Sequence, residues 1–244
     1  MPGSQADAVG QPGRLPQPIA VLDDAAGALT RALIELGLSP RTWCDDLRDE
    51  LAVPQANRCA TPSEAVAGAR TVLWRLPKAV AAVEEYSQLI ASHAAPDVRV
   101  IAGGRDKHLS RSMNEALGRL VQVSASLGHR KARALRAERP QAGAVRWPRL
   151  NWLDDLDLTV AAHGATFSTN RLDRGTSLLV SCSDQLPAGA RAIDLGCGSG
   201  ILACVLARQG RSVTAVDVTW SACDSAMRTA EANGLSIDVQ RRDG

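Results

Sequence analysis

Residues 194–200 read Asp-Leu-Gly-Cys-Gly-Ser-Gly and place three glycines on alternate positions, one residue after an acid. At the carboxyl end of a strand, such glycines let the backbone turn tightly and approach a ligand closely. Three ligand classes compete for that geometry. A dinucleotide fingerprint needs a glycine three places after Gly198, where helix and strand must pack closely, and that place holds Ile201. A phosphate loop needs Gly-Lys-Ser/Thr, which does not follow. Asp194 would repel a pyrophosphate, whereas it suits a ligand with a cationic amino-acid end.

S-adenosylmethionine is such a ligand, with an ammonium, a sulfonium and no phosphate. A second acid supports it. Asp217 lies 217 − 200 = 17 residues past Gly200, close to the spacing of about 20 at which an acid meets ribose hydroxyls in a nucleotide-binding α/β fold. Cys197 and Val218 are the neighbours of these motifs, and Asp243 is expected to accept from an adenine amino group. Cys197 also has a nucleophile's residue type. With no His near it in sequence, a small residue in a tight turn is the simpler reading.

The elements that must position these residues follow from periodicity. Arg191 to Leu195 reads as a buried strand, and Gly200 to Gln209 as a helix with Ile201, Leu202, Val205 and Leu206 on one face and Gly210 as its stop. Ser212 to Val218 is the next strand. Ser221 to Asn233 is a helix, capped by Thr219 or Ser221 and closed by Gly234, and Ser236 to Gly244 starts a third strand. Strand–helix–strand–helix–strand is half of a doubly wound sheet. Upstream, Asp157 to Phe167 looks extended and Arg174 to Leu186 helical.

The first half is less clear. Ile19 to Leu36 reads as a helix, from Leu22, Ala26, Leu29, Leu33 and Leu36 at helical spacing. Thr71 to Leu76 reads as a strand, followed by a helix opened by Pro77. Val98 to Gly104 is a strand, and Met113 to Gly128 a helix and a strand. Alternating strands and helices predict an α/β layer structure with a largely parallel sheet.

Composition narrows the class. A chain of 244 residues with 45% hydrophobic and 22% charged residues suits one large domain or two modest ones. One Tyr and one Phe predict an aliphatic core. No membrane span or secretion signal is read from the sequence, and the first 16 residues read as a disordered tail. Six cysteines without a CxxC pair suit a reducing cytoplasm and no zinc site. Between His129 and Arg149 there are seven basic residues and one acid, Glu138, whereas from Val160 onward each sign occurs eight times. Two readings of that basic stretch stand: a phosphate-contacting surface, or a solvated arginine-rich face.

The motif Asp194-Leu-Gly-Cys-Gly-Ser-Gly with Asp217 resembles class I methyltransferases. "GATFSTNRLDRGTSLLVS", Gly164 to Ser181, is similar to the element just upstream of the glycine loop in the ribosomal RNA (guanine-N2)-methyltransferases. The resemblance implies that Phe167, Ser168 and Thr176 neighbour the cofactor; for Phe167 simple core packing is the alternative. "LPKAVAAVEEYSQLI", "VRVIAGGRDKHLSRSMNEAL" and "GHRKARAL" resemble the family's amino-terminal domain, a degenerate methyltransferase-like copy that binds no cofactor and helps engage RNA. On that basis Lys107, Lys131 and Arg133 are expected to meet phosphates. Residues Arg130 to Arg139 read helical by pattern and as a strand by resemblance.

The expected organisation is a tail over 1–16, the degenerate domain over 17–139, a linker over 140–156, and an incomplete Rossmann-like methyltransferase domain over 157–244. The family's acceptor-binding Asn-Pro-Pro-aromatic loop is not in the sequence, which has no Asn-Pro pair. The expectation is therefore an S-adenosylmethionine-dependent enzyme by lineage, acting on the exocyclic N2 of a guanine in ribosomal RNA. This chain alone is expected not to transfer methyl groups, and its last segment to be marginal alone. It is expected to be a cytoplasmic, metal-free monomer that meets ribosomal RNA or a ribosomal subunit. The alternatives are a non-catalytic RNA-binding or assembly protein derived from such an enzyme, and a methyltransferase acting on protein or a small molecule.

Overall fold

The computed structural model describes residues 15–243 except 106–110, 119–121, 130–131, 139–140, 142–145, 168–171, 188 and 190. Residues 1–14 of the expected tail, together with Ser168, Lys107 and Lys131, lie outside the described residues. Leu15 and Pro16 are seated: Leu15 packs on a small apolar cluster, and the Pro16 carbonyl accepts from the Thr71 hydroxyl at 2.7 Å.

The first departure from the sequence reading comes at once. Ile19–Leu22 is a strand, β1, with every residue buried, and the helix α1 covers only Ala28–Glu35. A strand buried on both faces shows an unbroken apolar run, which in four residues is indistinguishable from the start of a helix. Three parallel strands join β1: β2 (Arg41–Trp43), β3 (Thr71–Arg75) and β4 (Arg99–Arg105). Helices α2 (Leu47–Ala52) and α3 (Pro62–Val66) lie between β2 and β3. Helix α4 spans Val80–His93, so it begins three residues after Pro77, with Ala79 as its N-cap.

After α5 (Arg111–Gly118), β5 (Gln122–His129) and β6 (Ala132–Glu138) close the sheet in the order β2-β1-β3-β4-β6-β5. Both β4·β6 and β5·β6 are antiparallel. The stretch read two ways is thus a strand: Leu135 and Ala137 point inward while Arg136 is exposed. The core of this sheet is not purely aliphatic. Trp43, Trp74 and Tyr86 sit at its centre, with Trp43 edge-on to Tyr86 at 5.4 Å; two indoles and a phenol supply area that the single-Tyr count concealed.

The second half opens with a hairpin of β7 (Arg149–Leu153) and β8 (Leu158–Ala162). β7 falls inside the stretch expected to be linker. Then come α6 (Arg174–Ser181), β9 (Arg191–Leu195), α7 (Ile201–Arg208), β10 (Ser212–Asp217), α8 (Trp220–Ala232) and β11 (Asp238–Arg241). β9, β10 and β11 form a parallel sheet with β10 central. β9 is not the buried strand expected from its composition: Ile193 and Leu195 are 69% and 72% exposed, and only Asp194 is buried. Among the described residues no helix is long and apolar enough to cross a membrane.

The halves meet through α8. Trp220 packs against the first core and lies edge-on to Trp43 at 5.7 Å. His163, just past β8, sits between Glu85 of α4 (Nδ1···Oε1 2.5 Å) and Asp224 of α8 (Nε2···Oδ2 2.7 Å). Burial opposes charge on this imidazole, but the two carboxylates outweigh it and raise its pKa to about 9.

Candidate cofactor-binding site

β9 ends at Leu195, and the chain turns through five residues into α7. Gly196, Gly198 and Gly200 all take positive φ, at 75°, 52° and 77°, a region that L-residues with a Cβ enter only with strain. Their reasons differ. A Cβ on Gly200 would lie 2.8 Å from the Ala226 Cβ, so this glycine lets α7 and α8 approach. At Gly196 and Gly198 an added Cβ would meet nothing within 4 Å. The space beside those two is open, and it is the mouth of a cavity of about 400 Å3.

That cavity collects most of the expected residues. Asp194, Gly196, Cys197, Gly198 and Asp217 line it, joined by Phe167 and Thr176 from the segment upstream. Phe167 is 75% exposed, which rules out the core-packing alternative for the only Phe of the chain. Gly200 starts α7 from behind the lining. The structure also adds residues that the sequence reading did not pick out: Asp173, Leu179, Leu195, Ser199, Leu202, Thr219 and Ala222. Of these, Leu202 and Thr219 read in the sequence only as helix-face and cap residues, and Asp173 carries a local signal of the capping kind. It stands as an N-cap before α6, and its carboxylate accepts from the Gly175 and Thr176 N–H groups and from the Thr176 hydroxyl.

Two expected contacts are not brought to the cavity. β11 ends at Arg241, so Asp243 lies beyond the strand rather than closing it. Its exposed carboxylate sits 3.9 Å from the Arg48 guanidinium of α2, and Asp243 is not among the lining residues, although the Arg242 N–H donates to the Asp217 carbonyl at 2.9 Å. Val218 is absent from the lining as well, and its carbonyl accepts from the Leu47 N–H at 3.0 Å. The reason is the same in both cases. The β2–α2 segment of the first half lies against the turns after β10 and β11, a contact across more than 170 residues that no local pattern encodes.

The electrostatics are one-sided. Asp173, Asp194 and Asp217 converge on the cavity, and no Lys or Arg is among its described lining residues. Asp194 is buried, with Oδ2 accepting from the Ala203 N–H in the first turn of α7 at 3.1 Å. Burial chiefly, and the charge of Asp217 in addition, push its pKa up, so a cation in the cavity would favour its charged form. Asp217 is pinned by its neighbours: Oδ1 accepts from the Thr219 N–H and hydroxyl, both at 2.9 Å, and Oδ2 from the Gly198 N–H at 3.2 Å. The acid after β10 is thus tied to the glycine loop after β9. Cys197 is buried and its thiol is held protonated, mainly by burial; this is a small residue in a turn, not a thiolate nucleophile.

Comparison with known proteins places both halves. A family model for the methyltransferase small domain matches residues 157–244, and one for the RLMG N-terminal domain matches residues 6–141. The ribosomal RNA large subunit methyltransferase G of Pseudomonas syringae pv. tomato (strain ATCC BAA-871 / DC3000) is 36% identical over 177 residues, 70% of this chain and 47% of that protein. Its counterpart from Pseudomonas syringae pv. syringae (strain B728a) is 33% identical over 251 residues, 94% of this chain and 66% of that protein. The chain spans about half the length of the first of these relatives. Among solved structures, the T. thermophilus 16S rRNA N2 G1207 methyltransferase (RsmC), in complex with AdoMet and guanosine, superposes with a TM-score of 0.73 at 21% identity. That match covers 93% of this chain and 66% of the other.

Proposed function

The chain belongs to the RLMG family, and from that premise we propose that it is a class I ribosomal RNA (guanine-N2)-methyltransferase whose cavity beside the 194–200 loop holds S-adenosylmethionine. One observation carries the reading: three carboxylates and no described cation line a cavity whose rim is two glycines facing open space. A cationic ligand without phosphate fits such a site, and its volume lies within the usual range of about 300–1,000 Å3 for small-molecule pockets. In relatives, a bound ligand named AdoMet occurs in the solved structure of similar fold.

Each residue then has a task. Gly196 and Gly198 let the ligand approach the main chain, and Gly200 holds α7 against α8. Asp217 accepts from ribose hydroxyls, for which its fixed carboxylate is already oriented. Asp194 and Asp173 supply negative potential for the ammonium and sulfonium, while Thr176 lies beside them on the rim. Phe167, Leu179, Leu195 and Leu202 offer an apolar wall for a purine face. Ser168 is assigned to the same rim by resemblance alone. When bound, the cofactor supplies an activated methyl group on sulfur, so the protein's share of the chemistry is alignment and the exclusion of water.

For the whole protein, the proposed function is methylation of a guanine N2 in ribosomal RNA: the curated relatives are named for large-subunit ribosomal RNA, and the structural neighbour for an N2 guanine of 16S rRNA. The proposed division is a degenerate domain over 17–139 and a cofactor domain over 157–244, joined by 140–156. Arg133, on β6, lines a second cavity of about 780 Å3 with Arg75, Lys78 and Arg105, and with the acids Asp23, Asp45 and Asp46. Its four cations, with Lys107 and Lys131 nearby in sequence, are the proposed RNA-facing side of the first half.

Calorimetric titration of the 244-residue chain with S-adenosylmethionine tests the cofactor reading. One site per chain is expected, weakened at least tenfold by Asp217→Ala. Equal binding by that variant would remove Asp217 from the site, and no binding by the wild-type chain would remove the cofactor.

A further inference from the structure

We propose that Asp45, in the first half of the chain, is a positioning residue for the cofactor site: it fixes the turn that carries Asp217 by capping α8 from outside. The inference rests on the reading that the cavity holds S-adenosylmethionine. Its basis is a patch of contacts between segments 176 residues apart. A new helix leaves its first N–H groups without intrahelical partners, and Thr219, the N-cap of α8, makes no capping bond; its hydroxyl is turned to Asp217, to which it donates. Asp45 takes over that task. Its main-chain carbonyl accepts from the Trp220 N–H at 2.8 Å. Its carboxylate accepts from the Ser221 N–H at 2.8 Å and the Ser221 hydroxyl at 2.9 Å.

The neighbouring residues extend the grip. Leu47 donates its N–H to the Val218 carbonyl, and Asp46 lies opposite Thr219 in an antiparallel bridge. Residues 45–47 therefore hold 218–221 as a short added strand would. The turn they hold contains Asp217, whose orientation toward the cavity depends on the Thr219 N–H and hydroxyl. Asp45 is itself anchored from behind. Its N–H donates to Asp23 Oδ1 at 3.0 Å, and its carbonyl also accepts from Arg241 of β11 at 2.9 Å. Asp23 occupies, after β1, the place that Gly196 occupies after β9. A loop with the geometry of a cofactor loop, but with only the last of its three glycines, thus buttresses the working one.

Removing the Asp45 carboxylate leaves the Ser221 donors buried, since Ser221 is 1% exposed, and frees the 217–221 turn to shift. The loss should be read in cofactor affinity and should pass through Asp217. The test is a double-mutant cycle by calorimetric titration of the 244-residue chain with S-adenosylmethionine. Asp45→Ala is measured in the wild-type and Asp217→Asn backgrounds; the amide at 217 still accepts, so binding stays measurable. We expect Asp45→Ala to weaken binding about tenfold alone and less than twofold beside Asp217→Asn. Asp45→Asn, which keeps an acceptor for the Ser221 N–H, should restore affinity to within about threefold. If Asp45→Ala does not fold, Ser221→Ala carries the same comparison with one of the two donors removed. Undiminished binding by Asp45→Ala, or the same loss in both backgrounds, would overturn the proposal. A wild-type chain that binds no S-adenosylmethionine would instead overturn the reading of the cavity on which the proposal rests.

Discussion

Two loops in this molecule follow one geometric plan and put it to different uses. After β1 the chain runs Leu22-Asp-Asp-Ala-Ala-Gly27 into α1; after β9 it runs Leu195-Gly-Cys-Gly-Ser-Gly200 into α7. Both leave the strand through a residue of positive φ, Asp23 at 57° and Gly196 at 75°. Both enter the helix through a left-handed glycine four residues later, Gly27 at 64° and Gly200 at 77°. Both first residues donate an N–H to the end of the neighbouring strand: Asp23 to the Trp43 carbonyl at 2.9 Å, Gly196 to the Val216 carbonyl at 2.8 Å.

The side chains decide the difference. In the β1 loop, the Asp24 carboxylate accepts from the Leu29 and Thr30 N–H groups at the start of α1, while Asp23 and Ala25 line the second cavity. The residue after Trp43, matching Asp217 after Val216, is Cys44. Its thiol is pushed up to about 12, mainly by burial, so it offers a ribose no charged acceptor. In the β9 loop the equivalent places hold Cys197 and Asp217, and both line the open cavity. The two loops thus share a backbone plan while their carboxylates serve different partners: Asp24 the start of its own helix, Asp217 the neighbouring glycine loop.

The comparison can be broken most forcefully at the shared glycines. Val at Gly200 would strike Ala226, and Val at Gly27 would strike the Ala52 carbonyl, each at a positive φ. Each substitution should cost about 3 kcal/mol or more, read as a lower midpoint in urea. A tolerated Gly27→Val would mean that the β1 loop does not share the plan.

Next in size is the junction of the halves. His163 is raised to about 9 from 6.5, so its contribution is complete below pH 6.5 and is lost as pH rises through about 9. Unfolding free energy should fall by on the order of 2 kcal/mol between pH 6.5 and 9.5. In His163→Gln that part of the slope should vanish; an unchanged slope would exclude the histidine.

A smaller effect separates the loops themselves. Asp23 is buried and its pKa is raised to about 7, chiefly by burial and then by Asp45. The fold favours its protonated form, so stability from this group declines as pH rises from 3.8 through about 7. Asp23→Asn, which cannot ionise, should gain on the order of 1 kcal/mol over wild type at pH 8 and nothing at pH 3.5. A loss at pH 8 would show that the charged form is the one the loop needs. Smallest of all, Ala26 sits at φ 53°, and Ala26→Gly should stabilise by about 0.5–1 kcal/mol in the same urea assay. Destabilisation would point to a packing role for its methyl.

The working loop was legible in the sequence because its ingredients are local: alternate glycines, an acid before them, an amphipathic helix after them and a second acid one strand later. Phe167 and Thr176 came from resemblance, and the structure brings both to the cavity. The loop's counterpart was not legible. Four apolar residues, Ile19 to Leu22, cannot announce a buried parallel strand, and Asp-Asp-Ala-Ala-Gly carries no glycine alternation. Asp45 was invisible for another reason: its partner Ser221 is 176 residues away, and neither residue breaks a local rule. Strand order places Asp243 at the end of the third strand; β11 ends at Arg241, and the Asp243 carboxylate lies 3.9 Å from the Arg48 guanidinium of the other half.

The central claim is that only one of the two like-built loops takes the methyl donor. Amide hydrogen exchange of the 244-residue chain, with and without saturating S-adenosylmethionine, tests it most directly. The account predicts new protection over residues 195–203 and 217–219, with none gained over 23–30. Protection gained over 23–30, or none gained at 195–203, would contradict it.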